Sequence, residues 1–206
     1  MVWNPRMSVG LTLVGLAAAS GCRQTPTRTR IDLTAYAVGA GAREHYTEFR
    51  RAHYRLSPGG LIELVLQAER PSTVDPTQTI NQVLYVKMFW NPQPGRSYVE
   101  ATQINAHVQF AMLTPPTCVR FDGSAFVTYK LDEKTGKLTG WIESGSLQPR
   151  FRMGEAVEPF DSATFEGTFV AEGRPREVVQ TAQMLEAQFR PSKPGTPGAI
   201  TTFPSR

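Results

Sequence analysis

Residues 119–131 read VRFDGSAFVTYKL, and their alternation decides the fold class. Val119, Phe121, Ala125, Val127, Tyr129 and Leu131 share one phase, while Arg120, Asp122, Ser124, Thr128 and Lys130 share the other. A period of two sends successive side chains to opposite faces of a strand, so this stretch is a long β-strand with one apolar and one polar face. The pattern recurs in 61–69, where Ile62, Leu64, Leu66 and Ala68 alternate with Glu63, Gln67 and Glu69, and again in 104–112 and 164–172. One-sided strands of this kind belong to antiparallel sheets with one face on a core. Residues 80–90 are apolar on both phases, which predicts a strand covered on both sides.

The punctuation fits that reading. Ser57-Pro58-Gly59-Gly60 separates a short strand over 50–56 from 61–69, as a hairpin turn does. Asn91 to Gly95 closes the strand over 80–90, and Thr114-Pro115-Pro116 closes the next. Asp132 to Lys137 is a polar loop with Gly136 near its end, suited to a hairpin bulge. Pairing Leu131 with Leu138 across it sets Tyr129 opposite Gly140, an aromatic over a cross-strand glycine. Gly123, Gly140 and Gly167 all fall in inward phases, which implies strong curvature. After the last strand, Pro175 opens a helix over 176–189 whose stripe is Val178, Ala182, Leu185 and Phe189. Residues 42–49 carry a faint helical signal, with Tyr46 and Phe49 as their only large apolar residues. The expected fold is therefore mainly β: a curved antiparallel sheet, sandwich or partly closed barrel, of six to eight strands with one C-terminal helix. Its core should join Phe121, Val127, Tyr129, Leu138, Ile142, Phe165 and Phe169 in one cluster.

The chain has 206 residues, enough for one domain of ordinary size, placed here at 36–190. Residues 191–206 hold four prolines and two glycines among Ser and Thr, and are expected to be a disordered tail. At the other end, residues 1–21 have the layout of an export signal: Arg6 in a short leading region, then an apolar run from Val9 through Ala19. That run falls short of the roughly 20 residues a membrane-spanning helix needs.

The signal closes on Ala19-Ser20-Gly21-Cys22, which resembles the lipobox of bacterial lipoproteins, with Ala19 where the pattern usually carries leucine. The resemblance implies cleavage between Gly21 and Cys22 and a diacylglycerol thioether on Cys22, making membrane lipid a partner. It implies residence in the bacterial cell envelope, and Arg23 in place of aspartate after the cysteine favours the outer membrane where one exists. Residues 22–35 then read as a flexible tether, with Arg23, Arg28 and Arg30 able to touch anionic headgroups. A conventional cut after Ala17-Ala18-Ala19 is also available, and it leaves a Cys22–Cys118 disulfide open. With Cys22 acylated, Cys118 is a buried small hydrophobe instead.

A net charge of +4 suggests nucleic acid only until its distribution is read. Arg6, Arg23, Arg28 and Arg30 precede every acidic residue, leaving 18 Lys and Arg against 18 Asp and Glu in the body. A neutral body has no electrostatic footprint for a phosphate backbone, so no nucleic-acid partner is expected.

Motifs for chemistry are few. There is no G-x-S-x-G elbow, no glycine-rich phosphate loop and no dinucleotide fingerprint, and no cofactor is expected. His45, Glu48 and His53 match no metal-binding spacing, so no metal is expected either. Glu143 and Glu166 fall in outward phases of strands expected to be neighbours, with Trp141 two residues from Glu143. Paired carboxylates beside an aromatic platform are what glycosidic cleavage uses, although Thr, Glu and Lys alternating on a solvent face is also ordinary sheet surface. Phe126 and Trp141, with Val170, interrupt that polar face as a candidate interaction surface, unless the helix 176–189 covers them, which is the expectation. The reading as a whole is a lipid-anchored envelope protein with a non-catalytic binding or structural role, its partner an envelope protein or a glycan. The alternative is a carbohydrate-active hydrolase using Glu143 and Glu166.

Overall fold

The computed structural model describes residues 25–37, 41–72, 75–90, 104–154 and 160–189. The signal 1–21, Cys22, the turn Asn91 to Gly95 and the tail 191–206 lie outside the described residues.

Nine strands and one helix follow in order: β1 (Arg30–Ala37), β2 (Gly41–Glu48), β3 (Arg51–Leu56), β4 (Ile62–Pro71), β5 (Thr79–Met88), β6 (Ala106–Thr114), β7 (Thr117–Asp132), β8 (Lys137–Met153), β9 (Ser162–Gly173) and α1 (Pro175–Gln188). The protein is mainly β, and its curved sheet closes on itself as a seven-stranded barrel of β3 to β9, with β1 and β2 as additional strands. All pairings are antiparallel except β3 with β9.

Closure is brief. β9 pairs along one edge with β8, and shares its other edge between β1 and β3. Only His53↔Glu172 and Tyr54↔Gly173 join β3 to β9, extended by the Arg174 N–H donating to the Tyr54 carbonyl at 3.0 Å. Between these pairs and the β1 ladder, the backbone of Val170 would lack a partner. The Thr29 hydroxyl fills the gap: it accepts from the Val170 N–H at 2.9 Å and donates to the Val170 carbonyl at 3.1 Å.

The interior is packed with side chains. Phe121, Val127, Leu138, Ile142, Phe165 and Phe169 are buried in one cluster, with Tyr129 packed against it. Phe121 and Phe160 stack at 4.0 Å between centroids. Leu131 pairs with Leu138 and Tyr129 with Gly140, and Gly136 takes the left-handed φ of +64° that the hairpin bulge requires. The atoms nearest to Gly140 belong to the next strands on either side. A Cβ at Gly140 would meet the Phe169 ring and the Thr128 carbonyl, and one at Gly145 would meet the Phe165 ring. Each glycine thus opens space for a phenylalanine from β9.

Two expectations at the N-terminal side are corrected. The flexible tether expected over 22–35 gives way at Arg30 to β1, because Ile31 and Ala35 are buried in the core while Asp32 and Thr34 face outward. The helical signal at 42–49 is a strand, β2, paired with β1 from Glu48 to Gly41. A lone helix there would have no apolar stripe to bury, whereas β1 offers a ladder of hydrogen bonds. The barrel's seven strands fall within the expected six to eight, and these two bring the total among the described residues to nine.

The helix does not cover Phe126 and Trp141. Val178, Leu185 and Phe189 of α1 instead pack on Val65, Val83, Ala111, Leu113 and Cys118, the outer faces of β4 to β7. That is why 80–90 is apolar on both phases: one face meets the barrel core and the other meets α1. The placement follows from connectivity, since α1 starts two residues after β9 meets β3. Cys118 is 2% exposed in this layer, and burial pushes its thiol pKa up. At the start of β4, buried Glu63 accepts from Arg55 at 2.7 Å and from the Tyr85 hydroxyl at 2.9 Å. Burial and that bond push the Tyr85 phenol pKa up.

Candidate functional site

Because side chains fill the barrel, the concavity that matters lies on its outer face. A groove of about 640 Å³ runs across β8, β9, β1 and β2. Strand register lays out in rows the outer face that carries it. Trp141, Thr168, Arg30 and Glu48 form one row, and Glu166, Asp32 and Tyr46 continue the next from Glu143. The third row is Ser146, Thr164, Thr34 and Glu44.

Glu143 reaches this floor through a β-bulge. Ile142 pairs with Gly167 and Gly145 with Phe165, so Glu143 and Ser144 together oppose the single residue Glu166. The extra residue re-aims the strand, a device common beside functional sites. It leaves a trace in the sequence: inward residues are even-numbered through Leu138, Gly140 and Ile142, then odd-numbered at Gly145 and Leu147. Thr128, from β7, donates its hydroxyl to Glu143 Oε1 at 2.9 Å and holds the carboxylate in place.

The structure therefore brings Glu143 and Glu166 to one concave surface. Glycosidic cleavage uses paired carboxyls, about 5–5.5 Å apart in retaining enzymes, and the bulge sets these two on facing strands. Water reaches Glu166 freely, however, since its side chain is exposed. A general acid gains most where solvent is excluded.

Three groove residues escape a reading of the sequence alone: Arg30, Asp32 and Tyr46. The Arg30 guanidinium donates from Nε at 2.9 Å and from Nη2 at 2.7 Å to Asp32 Oδ1, and lies 4.9 Å from the centre of the Tyr46 ring. Tyr46 is 67% exposed, the highest fraction among the large hydrophobic side chains described. A flat ring braced by a cation and left open to water is a stacking platform.

Phe126 and Trp141 sit on the same outer face at half-buried positions. Phe126 pairs with Ser144 at the bulge and packs on Trp90 at 6.3 Å, while Trp141 lies between Thr128 and Thr168. Val170 is on this face too, opposite Thr139. His45, Glu48 and His53 are not gathered, and among the described residues no three His, Cys, Asp or Glu side chains could hold a metal ion. No protein-family model, curated protein or solved structure matches this chain.

Proposed function

We propose that this is a lipid-anchored bacterial envelope protein, held by an acylated Cys22 in the outer membrane, that binds a glycan without cleaving it. The observation that carries the binding reading is the outer groove with the Arg30-braced Tyr46 ring at its edge. Its threonine hydroxyls and carboxylates match the donor and acceptor pattern of sugar hydroxyls, and the ring matches their apolar faces. The anchor reading is supported by Ala19-Ser20-Gly21-Cys22 behind an export-type apolar run.

Two measurements test it. Metabolic labelling with a radioactive fatty acid should mark the wild type and not Cys22→Ser, which should leave the membrane fraction. Unlabelled, fully soluble wild type would end the anchor reading. For the groove, β-1,4-linked amino-sugar oligomers are titrated while tryptophan fluorescence is followed. Saturable binding that Tyr46→Ala weakens at least tenfold, about 1.4 kcal/mol, is expected; binding unchanged by that substitution would refute the assignment.

A second reading, a carbohydrate-active hydrolase, is favoured by one fact: Glu143 and Glu166 line the same groove. It predicts oligomer cleavage by the wild type that Glu143→Gln and Glu166→Gln each abolish while binding survives, since a general acid acts mainly at the transition state. The binding reading predicts no cleavage by any of the three.

A further inference from the structure

We infer that one end of the barrel docks on the lipid surface that carries the anchor, through Leu56, Phe89, Trp90 and Ile104; this rests on the lipid-anchor reading above. Strand register gathers these residues. Parallel β3 and β9 point the same way, so the β3–β4 turn, the last residues of β9 and the β7–β8 hairpin share one end. Met88 pairs with Ala106, which puts the exit of β5 and the entry of β6 at that same end. Arg30 pairs with Thr168 near the C-terminal side of β9, so the chain enters β1 from this end as well.

Exposed apolar bulk is concentrated there. Leu56 is 52% exposed, Phe89 43% and Ile104 48%, three of the five large hydrophobic side chains exposed among the described residues. Of the other two, Tyr46 is in the groove and Tyr36 is at the far end of β1. Each of the three leaves its strand at a terminus rather than lying in a row that a neighbouring sheet could cover.

The patch is also built. The Trp90 indole N–H donates to the Ile104 carbonyl at 2.9 Å, and the Phe89 ring packs on His107 at 5.1 Å. Beneath it, Asn105 is fully buried. Its amide donates to the Val127 carbonyl and accepts from the Val127 N–H, both at 2.8 Å, while its own carbonyl accepts from the Phe89 N–H at 3.0 Å. A pre-formed apolar tip with a tryptophan at its flank suits the interface between headgroups and acyl chains.

The tether selects the lipid surface as occupant. Thr29 is fastened to Val170, and six residues separate it from Cys22, a span of seven Cα-to-Cα steps that at full extension reaches about 25 Å. An acyl chain on Cys22 therefore confines this end to the neighbourhood of the bilayer. Contacts too weak to recruit a free protein are then made at high effective concentration. Lys130, Lys134 and Lys137 on the adjoining hairpin are exposed and available to anionic headgroups.

The test uses the full-length lipidated protein in phosphatidylethanolamine and phosphatidylglycerol vesicles carrying lipids brominated at chosen depths. Trp3 leaves with the signal, so Trp141→Phe isolates Trp90 and Trp90→Phe isolates Trp141. Trp90 should be quenched several-fold more strongly by shallow bromines than Trp141 is. The triple variant Leu56→Asp, Phe89→Asp, Ile104→Asp should stay acylated and membrane-bound yet lose that quenching. Acylated, membrane-bound protein with Trp90 unquenched overturns the docking surface alone. An Ile104→Cys variant that cross-links as a dimer, with Trp90 shielded from lipid, overturns it in favour of a second copy. Mass spectrometry finding no acyl group on Cys22 overturns the anchor reading, and the docking surface with it.

Discussion

Phe165 and Gly145 form a lock that a double-mutant cycle can open. Phe165 is 3% exposed, and its ring occupies the space a Cβ at Gly145 would need. Phe165→Ala removes a buried ring and should cost about 3–5 kcal/mol. Gly145→Ala drives a methyl into that ring and should cost about 1–3 kcal/mol. Independent sites would sum to about 4–8 kcal/mol. In the double variant the methyl enters the cavity left by the ring, so overpacking disappears and about 0.8 kcal/mol of burial returns. The double variant should therefore lie near 2.2–4.2 kcal/mol, slightly less than the cost of Phe165→Ala, with a coupling of about 2–4 kcal/mol. Gly140 and Phe169 supply the control. A Cβ at Gly140 also meets the Thr128 carbonyl, which trimming Phe169 does not move, so the coupling there should stay below about 1 kcal/mol. Urea unfolding followed by far-UV circular dichroism, with a stabilising osmolyte to keep the weakest variants folded, measures all four corners of each cycle. Additivity within about 0.5 kcal/mol at Gly145 and Phe165 would refute the packing, and with it the account of how the bulge is seated.

Three further outcomes follow from particular contacts. Thr29→Val deletes both bonds to the Val170 backbone and should cost about 1–3 kcal/mol, with faster hydrogen exchange at the Val170 amide and recovery in Thr29→Ser; unchanged exchange would remove Thr29 from the seam. Arg55→Met strands the carboxylate of Glu63 in a site where it is 3% exposed, and should cost about 3–5 kcal/mol in the same urea assay; a loss under about 0.5 kcal/mol would mean the carboxylate finds water. Burial lowers the His53 pKa against the opposing pull of Glu177 and Glu172, with Arg174 and Arg51 helping to lower it, and its buried Nδ1 has no partner. The unfolded chain therefore takes up the proton first: this contribution is complete above about pH 6.5 and is lost as pH falls toward the folded pKa. The His53→Gln stability profile should be flatter between pH 7.5 and 5; parallel profiles would refute the assignment.

β4, β6, β7 and β9 were legible because their alternation runs through at least four residues and stops at proline, glycine or a polar loop, and β5 because it is apolar on both phases between turn signals. The phase was legible for the same reason: Phe121, Val127, Leu138, Ile142, Phe165 and Phe169 lie in the core and Tyr129 packs against it, although Ile104, in the apolar phase of 104–112, stands exposed before β6 begins. β1 and β2 were not. Ile31, Leu33 and Ala35 do alternate, but they follow three arginines and precede no turn signal, and β2 offers the core almost nothing of its own. β1 takes its structure from pairing with β9, more than a hundred residues away, a partner no local pattern encodes, and β2 takes its own from pairing with β1. The groove was half legible for the same cause. Glu143 and Glu166 sit on strands that alternate clearly, whereas Arg30, Asp32 and Tyr46 arrive on the pair that does not. The seat of α1 was hidden in two residues of parallel pairing, His53 and Tyr54 against Glu172 and Gly173, which decide the side to which the chain turns.

β9 is the last strand made and the one on which three others converge. A ribosome that has not yet reached Ser162 holds a chain in which β1, β3 and β8 all present open edges, and loop closure over such separations is slow. Closure of the barrel therefore waits for β9. The same delay makes premature termination costly: a product ending before β9 keeps three sticky edges and no means of hiding them.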